Sequence, residues 1–315
     1  MERAGARAPP APGPARRPEG GCRDSAGAAA SGEDHVKAVR ALEERLKAWR
    51  SFRDVAHATR SLAAAQVLRW NAQVAHTRRQ LAWSQAFHER VQRWEDRHRR
   101  RPPATCAVLA LGTDLGLCGR LNRLVADAAL QVVEEQQVVL FAACGARLLD
   151  LLPDDVPRLE EPAPSSMAAA VELAERVEAE VGDAGLRTRL CIVSATGVSR
   201  GGSPQVETSW DVGSDLAGLA EARAALARPL AQFAPADVAH TRARSLLAHA
   251  RILHAACEGA RAEASVRLAR MTRAHESAER RIAEQERVLR KARQEGITQE
   301  MLEVLSQRHI AAMAP

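Results

Sequence analysis

The sequence predicts an α/β protein with unusually long terminal helices: the N- and C-terminal helices pair as an antiparallel coiled coil, and a mostly parallel α/β domain is inserted between them. Three observations predict this. Glu33 to Arg101 contains neither Gly nor Pro. Ala236 to Ala314 contains no Pro, and its only glycines are Gly259 and Gly296. Every strand-like segment lies between these two runs. At ~1.5 Å rise per residue, each run would extend on the order of 100 Å if helical throughout. The expected division is a disordered tail over 1–33, a coiled-coil helix over 34–101, an α/β body over 102–235 and a second coiled-coil helix over 236–315.

Met1 to Gly32 is rich in Pro, Ala, Gly and Arg and should be disordered. A basic tail, a transit peptide and an over-called start codon compete here; Glu19, Asp24 and the lack of an apolar face weigh against the transit peptide. The first helix carries a stripe at Leu42, Leu46, Trp49, Ala56, Thr59, Ala63, Trp70 and Val74, steps of three, four and seven that mark one face. Arg97 to Arg101, followed by Pro102 and Pro103, ends it. That basic cluster has the chemistry to grip phosphate, but cations are also favoured at a solvated helix C-terminus.

In the body, Thr105–Gly112, Gln137–Gly145 and Arg187–Thr196 read as buried strands. Leu121–Glu135 and Ser166–Val181 read as helices between them. Continuous apolar strands alternating with helices imply a mostly parallel sheet covered on both faces. Gly197–Pro204 is a loop, and Val206–Trp210 a short exposed strand. The last helix follows Pro235, with Asp237 in its N-cap region. Its stripe runs Leu246, Ala250, Leu253, Cys257, Ala260, Ala264, Leu268, Met271, Ala274, Ala278, Ile282 and Leu289. Sustained spacing of three and four is the coiled-coil pattern. The many small residues on the seam permit close approach.

The composition limits the chemistry. Of 315 residues, 46% are hydrophobic but only 3% aromatic, and Tyr is absent, so the core is thin and aliphatic. The net charge of +6 and pI near 9.4 fit nucleic acid, an anionic membrane surface or an acidic protein cavity. Only Lys37, Lys47 and Lys291 are lysines; such Arg bias fits a GC-rich genome better than selected phosphate contacts. The cysteines, Cys22, Cys106, Cys118, Cys144, Cys191 and Cys257, form no C-x-x-C pair and sit mostly in apolar runs, which points to reduced buried thiols. No apolar run approaches the ~20 residues of a membrane span, and no signal-peptide core follows the N-terminus.

Gly112–Asn122 follows a strand and opens a helix, the position of a phosphate-binding turn. It nevertheless lacks both the G-x-x-x-x-G-K pattern followed by Ser or Thr and the G-x-G-x-x-G pattern. Gly116 and Gly119 are therefore read as structural turn residues. Cys118, flanked by Leu117 and Leu121, is read as buried and not as a nucleophile. The histidines are scattered without metal-binding spacing, and Glu134–Glu135 and Asp154–Asp155 read as solvated surface. No catalytic constellation, cofactor site or metal site emerges.

Four segments carry a family resemblance. GTDLGLCGRLN at Gly112–Asn122 resembles the S-D-R-G-L-C-G-x-L-N motif of the gamma subunit of rotary F-type ATP synthases. KARQEGITQEMLEVLS at Lys291–Ser306 is similar to that family's K-A-R-Q-x-x-I-T-Q-E-L/I-x-E-I-V signature. SLAAAQ at Ser61–Gln66 resembles M-V-A-A-A-K, and ASVRLARMTRAHESA at Ala264–Ala278 resembles A-A-R-M-x-A-M-x-x-A-T-D-N-A. They occur in the family's order and spacing, from about Leu42 to the end.

The resemblance implies a coiled coil with a Rossmann-like body, acting as the non-catalytic central rotor shaft. Implied partners are the α and β subunits of the catalytic head, the epsilon subunit and the membrane c ring, with no nucleotide or cofactor of its own. The implied location is the cytoplasmic face of a bacterial inner membrane. Carried over by position, Thr59, Arg267, Gln294 and Thr298 are implied head contacts. Departures are Thr59 in place of a helix methionine, Leu115 in place of Arg, Arg120 in place of a small residue, and His275–Glu276 in place of Thr-Asp. Glu207–Pro235 also lacks the usual aromatic–Glu-Pro stretch, which leaves the foot on the c ring unassigned. Such divergence resembles the alternate, second-operon type of some bacteria. The competing expectations are a basic coiled-coil nucleic-acid-binding or scaffold protein, and a small dinucleotide enzyme with helical arms.

Overall fold

The computed structural model describes residues 27–95, 105–183, 188–199, 203–227 and 235–313. Cys22 and the Arg97–Arg101 cluster lie outside them. The chain divides into two compact units, Met1–Ala48 with Ile282–Pro315, and Trp49–Arg281. Each takes part of the two long helices, α1 (Gly27–Glu95) and α6 (Ala236–Met313).

α1 starts inside the segment expected as a tail. Ala28–Ala30 supply the best intrinsic helix former there. α6 starts at Ala236, where the Ala239 N–H donates to the Pro235 carbonyl at 3.0 Å. Asp237 thus sits in the first turn and not at the cap.

In the unit Met1–Ala48 with Ile282–Pro315, the helices run antiparallel. Glu43 pairs with Arg293, and His35 lies against Gly296. A Cβ on Gly296 would come within 2.6 Å of the His35 ring, so this glycine admits the imidazole. Leu46, Ile282 and Leu289 are buried.

In the unit Trp49–Arg281, partners step down α6 as they step up α1: His57 with His275, Gln66 with Arg267, Arg78 with Glu258, His88 with His240. The α1 seam follows a seven-residue spacing at Ala56, Ala63, Trp70 and Thr77, all buried. On α6, Ala250, Leu253, Cys257, Ala264, Met271 and Ala278 are buried as the stripe requires. Leu246 departs from it, at 41% exposure, while Ala243 is buried instead.

The inserted sheet has order β3-β2-β1-β4-β5. Its strands are β1 (Thr105–Leu111), β2 (Val138–Cys144), β3 (Leu159–Glu161), β4 (Thr188–Val198) and β5 (Pro204–Ser209). The first four run parallel, and β5 pairs antiparallel with β4. α2 (Leu121–Glu135), α3 (Ala146–Leu149), α4 (Met167–Asp183) and α5 (Leu219–Ala225) complete the unit.

Alternation along β1 builds two cores. Ala107, Leu109 and Leu111 face Trp70 and Val74 of α1, Leu173 and Val177 of α4, and Ile252 and Leu253 of α6. Cys106, Val108 and Ala110 face Leu121, Val125 and Ala129 of α2 and Leu148 of α3. Burying both faces is why the strands read as unbroken apolar runs.

The sequence reading did not find β3, α3 or α5, because three to seven residues are too few to show a period. β4 runs on through Gly197, with an irregularity between Ala195 and Gly197. β5 begins at Pro204, tolerated because a strand's first residue on an open edge need not donate. α5 packs Leu219 and Ala222 against Ala82 and Ala86 of α1. Arg223 holds Glu89 in a two-point ion pair at 2.8 and 2.7 Å.

Candidate functional site

Strand order reverses between β1 and β4, and in open α/β sheets ligands bind at that point, beyond the carboxyl ends of the strands. Here the chain's own polar groups fill it. The Thr113 N–H donates to Asn122 Oδ1 at 3.0 Å, and Asn122 Nδ2 donates to Thr113 Oγ1 at 3.0 Å. Thr113 Oγ1 in turn donates to the Leu115 carbonyl at 2.9 Å. The Asp114 carboxylate accepts the Ala146 N–H at 2.8 Å and the Ala163 N–H at 3.2 Å, tying together the segments that follow β1, β2 and β3. A phosphate would need such amides open. An internal carboxylate holds two of them and an internal amide oxygen a third.

The turn's backbone demands fall partly where the sequence reading placed them. Gly119 has φ +64, and a Cβ there would collide with the Arg270 guanidinium. Gly116 differs: a Cβ on it would meet nothing within 4 Å, and its φ is not left-handed. Leu117 takes the left-handed conformation instead, at φ +70, with its side chain exposed. Gly145, which the sequence reading did not single out, has φ +106 and lies against the Thr113 backbone.

Cys118 is buried, its Sγ directed at the Leu115 and Gly116 carbonyls. Burial, with Glu263 nearby, raises its thiol pKa, while Arg267 opposes. Burial also pushes Cys191 to about 12 and Cys257 to about 11. The nucleophile is the thiolate, so these cysteines are inert structural residues.

The four implied head contacts occupy different environments. In the unit Trp49–Arg281, Thr59 is half-buried on α1 and donates to its own helix, Oγ1 to the Val55 carbonyl at 2.9 Å. Arg267 is 6% exposed. It donates to Gln66 Oε1 at 3.4 Å and to Cys118 Sγ at 3.5 Å, and pairs with Glu263. Arg267 therefore bridges α6, α1 and the Gly112–Asn122 turn, rather than presenting a free guanidinium. In the other unit, Gln294 and Thr298 are both exposed, one helical turn apart, with Thr298 Oγ1 donating to the Gln294 carbonyl at 2.9 Å. Ile297, Met301, Leu302 and Leu305 are exposed around them.

The sequence reading did not single out Gln66, Asp114 or Glu263. Only the Glu263–Arg267 spacing of four was visible beforehand. Among the described residues, no group of three or more His, Cys, Asp or Glu side chains could hold a metal ion. No helix there is long and apolar enough to cross a membrane.

A family model described as ATP synthase matches residues 38–308, most of the chain. The chain belongs to the ATP synthase gamma-subunit family.

Two solved structures agree in fold. A chain of the Euglena gracilis mitochondrial ATP synthase, in a c-ring-containing assembly in rotational state 3, superposes with a TM-score of 0.56 at 16% identity, covering 89% of this chain and 97% of that one. A chain from the same organism's rotor, in rotational state 1, gives 0.54 at 17% identity, covering 83% and 99%. No curated protein sequence matches. As a gamma-family member, the chain is a component of an ATP synthase, and the nucleic-acid-binding alternative is not favoured.

Proposed function

We propose that this chain is the central-stalk rotor of an ATP synthase and performs no chemistry itself. The carrying observation is the family match over residues 38–308, on a chain whose two long helices flank an α/β body closed to ligand at its switch point. The paired helices would turn within the head of α and β subunits, where nucleotide chemistry takes place. The body would rest on the c ring beside the epsilon subunit. In a bacterium, this places the chain at the cytoplasmic face of the inner membrane, held there by the complex.

Gln294 and Thr298 are proposed head contacts. A shaft turning in an apolar sleeve needs little adhesion, and a few polar contacts define its resting angles. Exposed Ile297, Met301 and Leu305 fit such a sleeve. The test is Gln294→Ala with Thr298→Ala, reconstituted with the head and the c ring. ATP-driven ion pumping should fall while the isolated subunit keeps its thermal midpoint. Wild-type ATPase and pumping in the double variant would refute the contact assignment.

A further inference from the structure

α6 and β4 advance together through the body. Leu190 and Ile192 of β4 pack with Ile252, Leu253, Ala256 and Cys257 of α6, while Val193 and Ala195 share the opposite core with Ala262 and Val266. Apolar contact is non-directional. It resists separation of helix and sheet, and close packing resists sliding, but it ties no one atom of the helix to a particular atom of the sheet.

Three arginines add direction. Arg244 Nη2 donates to the Thr188 carbonyl at 3.0 Å, Arg251 Nη2 to the Ser209 carbonyl at 3.1 Å, and Arg261 Nη2 to the Thr196 carbonyl at 3.0 Å. Two of the acceptors lie where pairing between β4 and β5 ends or is broken, and the third opens β4. Thr188 precedes Ile192, where pairing with β5 begins; Ser209 is the last residue of β5; Thr196 is the residue skipped by the irregularity between Ala195 and Gly197.

The outer contacts are in step. From Arg244 to Arg261 a helix rises roughly 25 Å, and from Thr188 to Thr196 a strand advances roughly 26 Å. Arg261 also pairs with Glu258, which pairs with Arg78 of α1 at 3.2 Å, so α1, α6 and β4 are joined through one carboxylate.

Arg251 is the telling member. Burial lowers its pKa to about 10, while Asp211, itself paired with Arg189, opposes the shift; the guanidinium stays charged at neutral pH. Arg251 is half-buried, and a cation in such a place is weak evidence for stability, since an apolar side chain of similar size often serves as well or better. What an apolar side chain cannot supply is a fixed direction of pull.

We propose that Arg244, Arg251 and Arg261 are coupling residues that pass rotation between the helix pair and the sheet body. This inference rests on the rotor reading above.

The test is the triple variant Arg244→Met, Arg251→Met, Arg261→Met in the reconstituted complex. Torsional stiffness is read from the angular fluctuations of a bead fixed to the body while the head is stalled. The thermal midpoint of the complex is measured alongside. The expected result is an assembled complex with ATPase retained and stiffness reduced by half or more. Unchanged stiffness overturns the proposal, and a lowered midpoint with unchanged stiffness does so too, because it assigns the arginines to folding alone. If the triple variant does not assemble, Arg261→Met by itself, which also cuts the link to Glu258, must soften the complex or the proposal fails. Failure of the wild-type chain to assemble with α and β subunits would instead sink the rotor reading.

Discussion

Replacing Asn122 by Ala tests whether the switch point is sealed by side chains, as the geometry requires. The wild-type amide makes two hydrogen bonds at 3.0 Å, to the Thr113 N–H and Oγ1, and Asn122 and Thr113 are both buried. Truncation leaves the Thr113 N–H buried without an acceptor, which costs about 1–3 kcal/mol, and removes a second bond worth about 1 kcal/mol. The expected loss is about 2–4 kcal/mol, or roughly 5–15 °C in thermal midpoint for a body of this size. Asn122→Asp keeps an acceptor for the Thr113 N–H but loses the donor and buries a carboxylate, so its loss should be largest at neutral pH and shrink as the pH falls and the carboxyl is protonated. Differential scanning calorimetry of the two variants beside wild type measures this. A shift of less than about 1 °C for Asn122→Ala would mean that water reaches Thr113 and the switch point is open.

Alanine substitutions at the turn glycines should rank Gly145 worst, Gly119 next and Gly116 near neutral in urea midpoint. Gly145→Ala drives a Cβ to 2.6 Å from the Thr113 backbone nitrogen, whereas Gly119→Ala meets only the movable end of Arg270, and Gly116→Ala meets open space. The left-handed φ adds about 1–2 kcal/mol at Gly119 and Gly145. Burial holds the His254 pKa below its usual 6.5, with Arg78 and Arg261 acting the same way and Glu258 opposing. The folded state thus favours neutral imidazole. This contribution is fully present above about pH 6.5 and is lost as pH falls from there toward the folded pKa. His254→Gln should flatten that part of the stability–pH curve; an unchanged slope would exonerate His254. Thr298→Ala should leave the isolated chain's unfolding free energy within about 0.5 kcal/mol of wild type, read from urea melts, since Thr298 is exposed and its hydroxyl donates to its own helix.

The periodic parts of this protein were legible in the residues. Ala56, Ala63 and Trp70 of the predicted stripe lie on one buried face, which Thr77 continues beyond it, because a seven-residue spacing returns to the same side of a helix wherever the helix lies. The strands β1, β2 and β4 announced themselves because burial on both faces removes polar residues from them. The motif at Gly112–Asn122 located the turn, and with Lys291–Ser306 it pointed to the family. Leu246 misled because the buried face of α6 runs through Ala243 and Ala250 there, and 41% of Leu246 stays exposed.

The polar interior was another matter. That Arg267 faces Cys118 and Gln66, that Asp114 closes the loops after β2 and β3, and that Arg244, Arg251 and Arg261 meet the carbonyls of β4 and β5 depends on pairs far apart along the chain. Local pattern reports which face of an element avoids water, because hydrophobic burial is proportional to area and indifferent to partner. A hydrogen bond requires one donor and one acceptor within about 3 Å, so its partners are decided only when the elements are packed. The sequence therefore determined the long helices, the central strands β1, β2 and β4, and the family, but not the short elements β3, α3 and α5. The tertiary structure alone decided that the sheet's switch point is filled from within and that the long C-terminal helix is bound to the sheet by directed bonds.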